Sequence, residues 1–215
     1  MGEEQGFISK VTGVLTRPTE TFKNIDEASL SRGFIIVLVA ALLSGLAQCV
    51  YLSKIPVAFF LSRIPVNIAN PGAVKNQILT FAPIFSAAEL LIFWLFTTLI
   101  IHVASSQLSQ GGSLNAIYAK TGYASTVLII QQLVRLIDAS ILTSGAVTGL
   151  YSQGIGQQGL TNLLTIILRV YPLFRVLYLI LVGMAIAVNY SMSPRRATII
   201  ALASNLIFLI IPLLM

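Results

Sequence analysis

Four ionisable residues interrupt otherwise apolar runs of the chain: Glu89, Arg135, Asp138 and Arg175. A charge in hydrocarbon costs about 2.5 to 3.5 kcal/mol on insertion scales, so such residues face a bundle interior in pairs or mark a polar path. At about 1.5 Å per helical residue, Glu89 and Arg135 lie roughly 12 Å and 10 Å from the outer ends of their runs. Asp138 and Arg175 are each about 6 Å below the same face. Gln131, Arg135 and Asp138 share one helix face through their four- and three-residue spacing. The expectation is an intramembrane polar network of two pairs, Glu89 with Arg135 and Asp138 with Arg175. Such a network either fixes helix order or lines a cavity for an ion, a solute or a lipid headgroup.

Other residue types offer less chemistry. A metal site needs several His, Cys or carboxylate ligands at workable spacing, and the chain has one His, His102, and one Cys, Cys49. No metal and no cofactor are expected. Gly154-Ile-Gly156-Gln-Gln-Gly159 matches the dinucleotide fingerprint in letters only. That motif works between a strand and a helix, with an acid about 20 residues on, and no Asp or Glu follows Asp138. No serine sits in a recognisable nucleophile motif near a base, so no catalytic residue is assigned and an enzyme is not expected.

The elements that must position these residues follow from composition. Charged residues are 9% of the 215 and apolar types 56%, too little charge to cover a soluble surface, where about 25% is usual. Five apolar segments of spanning length stand out, residues 33–52, 81–103, 121–142, 171–190 and 197–215. Each suits a hydrocarbon layer about 30 Å thick. The fold class is therefore all-α, an integral membrane bundle of five transmembrane helices (33–215) preceded by a cytoplasmic amphipathic segment (1–32). Pro83, Lys120, Pro172 and Pro194 read as span boundaries. The start, Met-Gly-Glu-Glu, lacks the basic region of a signal peptide, so the first span is expected to direct its own insertion.

The formal net charge is +6, but no basic run exceeds the Arg195-Arg196 pair, which argues against nucleic acid as a partner. With the N-terminus inside, Lys10, Arg17, Lys23, Arg32, Lys120, Arg195 and Arg196 fall on the inner side. Lys54, Arg63, Lys75 and Arg169 fall on the outer side. That bias places the N-terminus in the cytoplasm and the C-terminus outside. In the N-terminal segment, Phe7, Val11, Phe22 and Ile25 supply an apolar face suited to the membrane interface or to the underside of the bundle. Phe59 and Phe60, between two prolines, suit a further interfacial helix.

Some of these residues resemble a known family. Phe7-Ile-Ser-Lys-Val-Thr-Gly-Val-Leu-Thr-Arg-Pro18-Thr-Glu-Thr-Phe22-Lys-Asn-Ile25 is similar to the opening of prokaryotic Yip-domain proteins, whose eukaryotic members interact with Ypt/Rab GTPases. His102, then Gly111-Gly112-Ser113 and Thr121-Gly122-Tyr123-Ala124, resembles that family's His, Gly-Gly and Gly-Tyr-Ala signature between spans two and three. Two departures stand out: Ser125-Thr126-Val127 replaces the proline common after Gly-Tyr-Ala, and the acidic segment of the trafficking members is absent. The resemblance implies the fold more strongly than GTPase binding. Without it, Gly111 and Gly112 are still explained as a tight turn needing positive φ, and Gly122 as a close helix contact.

The function expected is a non-enzymatic membrane-organising or scaffold protein of a prokaryotic cell membrane. It would act through protein partners, a second copy of itself or bilayer shape, with membrane lipids around it. The alternative is a small transporter, a channel or an accessory subunit with a polar path near Glu89, Arg135, Asp138 and Arg175.

Overall fold

The computed structural model describes residues 6–58, 70–109, 111–152 and 171–214, and these are helical throughout apart from short turns. The Gly154–Gly159 motif, Phe59, Phe60, Arg63 and Arg169 lie outside the described residues. The chain opens with α1, Phe7–Thr16. It breaks at Arg17 because Pro18 occupies the first position of α2, Pro18–Lys23, where a missing N–H costs nothing and a fixed φ starts a new helix. A single 3₁₀ turn, Glu27–Ser29, leads into α3, Leu30–Ser53.

The next helix, α4, runs from Pro71 to Leu108. Pro83 lies inside it rather than at its start. The start is set by Asn70, whose side-chain oxygen accepts from the Ala73 N–H at 3.2 Å and satisfies a first-turn donor. Helix α5, Leu114–Ala124, begins at Ser113 in the same way, its hydroxyl accepting from the Ala116 N–H at 3.4 Å. Helix α6, Thr126–Ile141, follows after Ser125 alone. The remaining helices are α7, Ser144–Ser152, α8, Tyr171–Asn189, and α9, Pro194–Leu214. Three stretches, Glu27–Ser53, Gly72–Leu108 and Leu114–Ile141, are long and apolar enough to cross a membrane.

The bundle is organised around α3, which packs against α4, α5 and α6, while α8 packs on α9, α5, α2 and α6. Two glycines of α3 make the packing close. A Cβ on Gly33 would sit 2.8 Å from the Ala119 carbonyl oxygen, and one on Gly122 would sit 2.7 Å from the backbone of Gly33. A Cβ on Gly45 would meet the Pro83 carbonyl oxygen at 2.7 Å. One turn away from that second contact, the Ser44 and Ser86 hydroxyls bond at 2.9 Å. Without a hydrophobic force between helices in lipid, small residues that let backbones touch are what hold such crossings together.

The N-terminal helices belong to the same core. Val14, Phe22 and Ile25 are fully buried in one cluster with Ile101, Ile117, Tyr123, Val182, Ile186 and Tyr190, and Phe7 and Val11 pack against it. The apolar face drawn from Phe7, Val11, Phe22 and Ile25 thus packs against the underside of the bundle, Phe22 and Ile25 fully buried and Phe7 and Val11 partly so. The reason is that α8 and α5 offer dry, shape-matched surface at that end, and α2 and α1 respectively pack against them.

Replacing Gly45 by Leu forces a side chain against the Pro83 carbonyl, and neither backbone can yield without parting α3 from α4. The expected loss is about 3 kcal/mol, the upper end for overpacked cores. Thermal unfolding of G45L in detergent micelles checks it, with Leu46→Ala on the exposed face of α3 as the neutral control.

Candidate functional site

The four charges expected within the membrane are spread over three helices. Glu89 is exposed on α4 and Arg175 is exposed on α8. Arg135, half-buried on α6, donates from Nη1 to Gln132 Oε1 at 3.2 Å, a bond within its own helix. Asp138 Oδ2 accepts from the Tyr51 hydroxyl of α3 at 2.6 Å. Gln131 is buried beside Gln132. Among the described residues neither expected pair, Glu89 with Arg135 or Asp138 with Arg175, forms an ion pair. The packing explains the first case: α3 lies against both α4 and α6, and those two helices make little contact with each other.

Polar side chains do converge elsewhere, at the end of the bundle where the loop after α4 meets the turn after α8. His102 Nδ1 and the Tyr190 hydroxyl are 2.6 Å apart. The Ser109 hydroxyl donates to the Tyr190 carbonyl at 2.6 Å. Gly111 and Gly112 have φ of 131° and 89°, values that suit glycine, and the space where a Cβ of Gly112 would sit is filled by the Tyr190 ring. Lys120, 6% exposed, donates from Nζ to Asn189 Oδ1 at 3.0 Å. The Asn189 amide then donates to the Ser113 carbonyl at 3.2 Å. The last residue of α8 and the one after it therefore bond to opposite sides of the Gly-Gly turn, Tyr190 to His102 and Ser109 before it and Asn189 to Ser113 and Lys120 after it.

The N-terminal helices meet this corner from below. Phe7 packs edge-on against Tyr123, with ring centroids 6.0 Å apart, and the buried Tyr123 hydroxyl has no hydrogen-bond partner among the described residues. Asp26 and Glu27, in the link to α3, are the acids whose field reaches Lys120. The Ser29 hydroxyl donates to Asp26 Oδ1 at 3.0 Å and holds that carboxyl below its ordinary range, helped by Lys10. Lys10 in turn donates to Ser29 Oγ at 3.4 Å.

A third polar cluster fastens α4 to α5. Thr121 Oγ1 accepts from the Trp94 indole at 3.1 Å and bonds Thr98 Oγ1 at 3.0 Å. Trp94 also packs edge-on against Tyr118 at 5.2 Å. Between α5 and α6, hydroxyls of Thr121, Ser125 and Thr126 bond back to carbonyls three or four residues earlier. Such back-bonding bends helices, and here it accompanies a break at the position where proline was missing from the motif.

At the opposite end, Lys54 Nζ donates to the carbonyls of Ser140 and Leu142 at 2.8 and 2.7 Å. A cation there suits the negative end of α6. Among the described residues no group of three or more His, Cys, Asp or Glu could hold a metal ion.

Phe22 and Tyr123 thus share one buried cluster with Tyr190, and His102 and Gly112 both meet Tyr190. Sequence reasoning missed their counterparts Tyr190, Asn189 and Ser109, which carry no motif of their own. One available signal was Lys120, a cation among small apolar residues that needs a buried partner. The arrangement defines a class: an all-helical bundle with membrane-length helices and a polar joint closing one end. A family model for the Yip1 domain matches residues 12–215, and the chain belongs to that family. No curated protein and no solved structure matches it.

The His102–Tyr190 bond should behave as a structural lock. Tyr190→Phe keeps the ring over Gly112 and removes only the hydroxyl, so the expected loss is about 1 kcal/mol. A double-mutant cycle with His102→Ala, read by thermal unfolding, should give a coupling of about 0.5 to 1.5 kcal/mol; independent, additive losses would contradict the lock.

Proposed function

We propose that this Yip1-domain protein is a five-span, non-enzymatic membrane scaffold that presents its N-terminal helices to a protein partner. The multispan membrane character comes from family membership and the three membrane-length helices. In the proposed topology α8 and α9 supply two more crossings. Their 19 and 21 residues reach about 28 and 31 Å at 1.5 Å per residue, enough for the hydrocarbon layer. The basic bias towards the side of Lys10, Arg17, Lys23, Arg32, Arg195 and Arg196 supports a cytoplasmic N-terminus.

The observation that carries the scaffold reading is the docking of α1 and α2. Their apolar residues Val14 and Phe22 are used inside the bundle, so Arg17, Thr19, Glu20, Lys23 and Asn24 face outward from a fixed platform. A rigid, polar, mixed-charge surface of this kind suits a protein partner better than insertion into lipid. The same burial means that deleting the segment would open the core, and a milder change is the fair test. Exchanging charges by Glu20→Lys with Lys23→Glu leaves every buried residue in place, and surface changes of this kind stay within about 0.5 kcal/mol. Cross-linking in cell membranes should then lose the adducts formed by the unaltered protein. An identical adduct pattern from the exchanged protein would overturn the reading.

The alternative of a polar path is not favoured by this arrangement of charges. Glu89 and Arg175 lie exposed on separate helices, and Arg135 is bonded within its own.

A further inference from the structure

The residues on either side of the turn between α8 and α9 form a hollow that the scaffold reading does not use. A cavity of about 390 Å³ lies along these two helices and is bounded at one end by Thr19 of α2. Val176, Ile180, Gly183, Ala187 and Leu202 line it, and Thr198 is the polar residue on the α9 side. Val176, Ile180 and Leu202 are about half exposed, so the hollow opens sideways, towards the region that lipid would occupy. Small side chains create the space. A Cβ added to Gly183 would meet Thr198 at 3.5 Å, ordinary contact. From Val176 to Val188 the groove follows α8 for about 18 Å, the scale of an acyl chain.

The mouth of the groove differs in character from its length. Pro194 lines it, and the next two residues, Arg195 and Arg196, are exposed in the first turn of α9. Arg17 precedes α2 beside Thr19, and Glu20 is the acid next to it. Arg17, Arg195 and Arg196 each stand within two residues of a lining residue at this end of the apolar channel, with Glu20 the acid beside Thr19, a combination that matches one kind of ligand: a long hydrocarbon chain ending in an anionic phosphate headgroup. We propose that the groove between α8 and α9 holds one acyl chain of an anionic phospholipid, with its phosphate on Arg195 and Arg196. Guanidinium suits the phosphate because it binds oxygens in pairs, and basic residues at a membrane surface each strengthen attraction to anionic lipid. The inference needs the chain to lie in a bilayer and is independent of any protein partner.

Native mass spectrometry of the full chain, released from micelles with phosphatidylglycerol or phosphatidylcholine added, tests it. The unaltered protein should retain one phosphatidylglycerol at least about tenfold more than phosphatidylcholine, a preference of the size expected for two basic contacts. R195Q/R196Q should bring the two lipids level. L202W, which fills the groove from an exposed position, should reduce retention of phosphatidylglycerol about tenfold with the arginines intact. Circular dichroism melting shows that each variant is folded, and G183L replaces L202W if that protein does not fold. Equal retention of the two lipids by the unaltered protein would overturn the proposal, as would unchanged phosphatidylglycerol retention in the folded groove variant.

Discussion

The bundle depends on how closely α3 can approach its neighbours. At Gly33 the backbone of α3 lies against Ala119 and Gly122 of α5, and at Gly45 it lies against Pro83 of α4. These contacts leave no room for a Cβ, so their geometry is set by main chain and not by adaptable side chains. In a bilayer, where lipid tails are as apolar as leucine, such contacts and the hydrogen bonds beside them carry the association. Ser44 with Ser86 and Trp94 with Thr121 are those bonds, one near each crossing.

Once α3 and α5 are set, the polar joint follows. Gly122 touches α3 while its neighbours on α5 face other ways: Lys120 reaches Asn189, Thr121 reaches Trp94, and Tyr123 reaches Phe7. About one turn of α5 thereby links it to α8, α4 and α1. The N-terminal helices are not an appendage, because Val14, Phe22 and Ile25 complete the core that Tyr123 and Tyr190 begin. Their outward face becomes a platform whose position is determined by the membrane helices beneath it.

Helical class, membrane character and the approximate place of each apolar segment were legible from composition and run length, since these depend on local chemistry. The ends of the helices were less so. Pro83 looks like a start, but Asn70 caps the helix earlier and the proline is tolerated within α4. Glu89 and Arg135 stand on α4 and α6, which both pack on α3 and make little contact with each other, a fact that no spacing along the chain encodes. The motif residues His102, Gly112 and Tyr123 were visible as a pattern, whereas Tyr190 and Asn189 could be found only once α8 returned to the same corner.

Trp94, the sole tryptophan of the chain, is buried at the α4–α5 contact, and its emission reports whether the central crossing is intact. Gly122→Leu places a side chain against the backbone of Gly33 without touching Trp94 directly in sequence. G122L is expected to shift Trp94 emission to longer wavelength and to lower stability by about 3 kcal/mol, the upper range for overpacking. Emission and melting equal to those of the unaltered protein would contradict it.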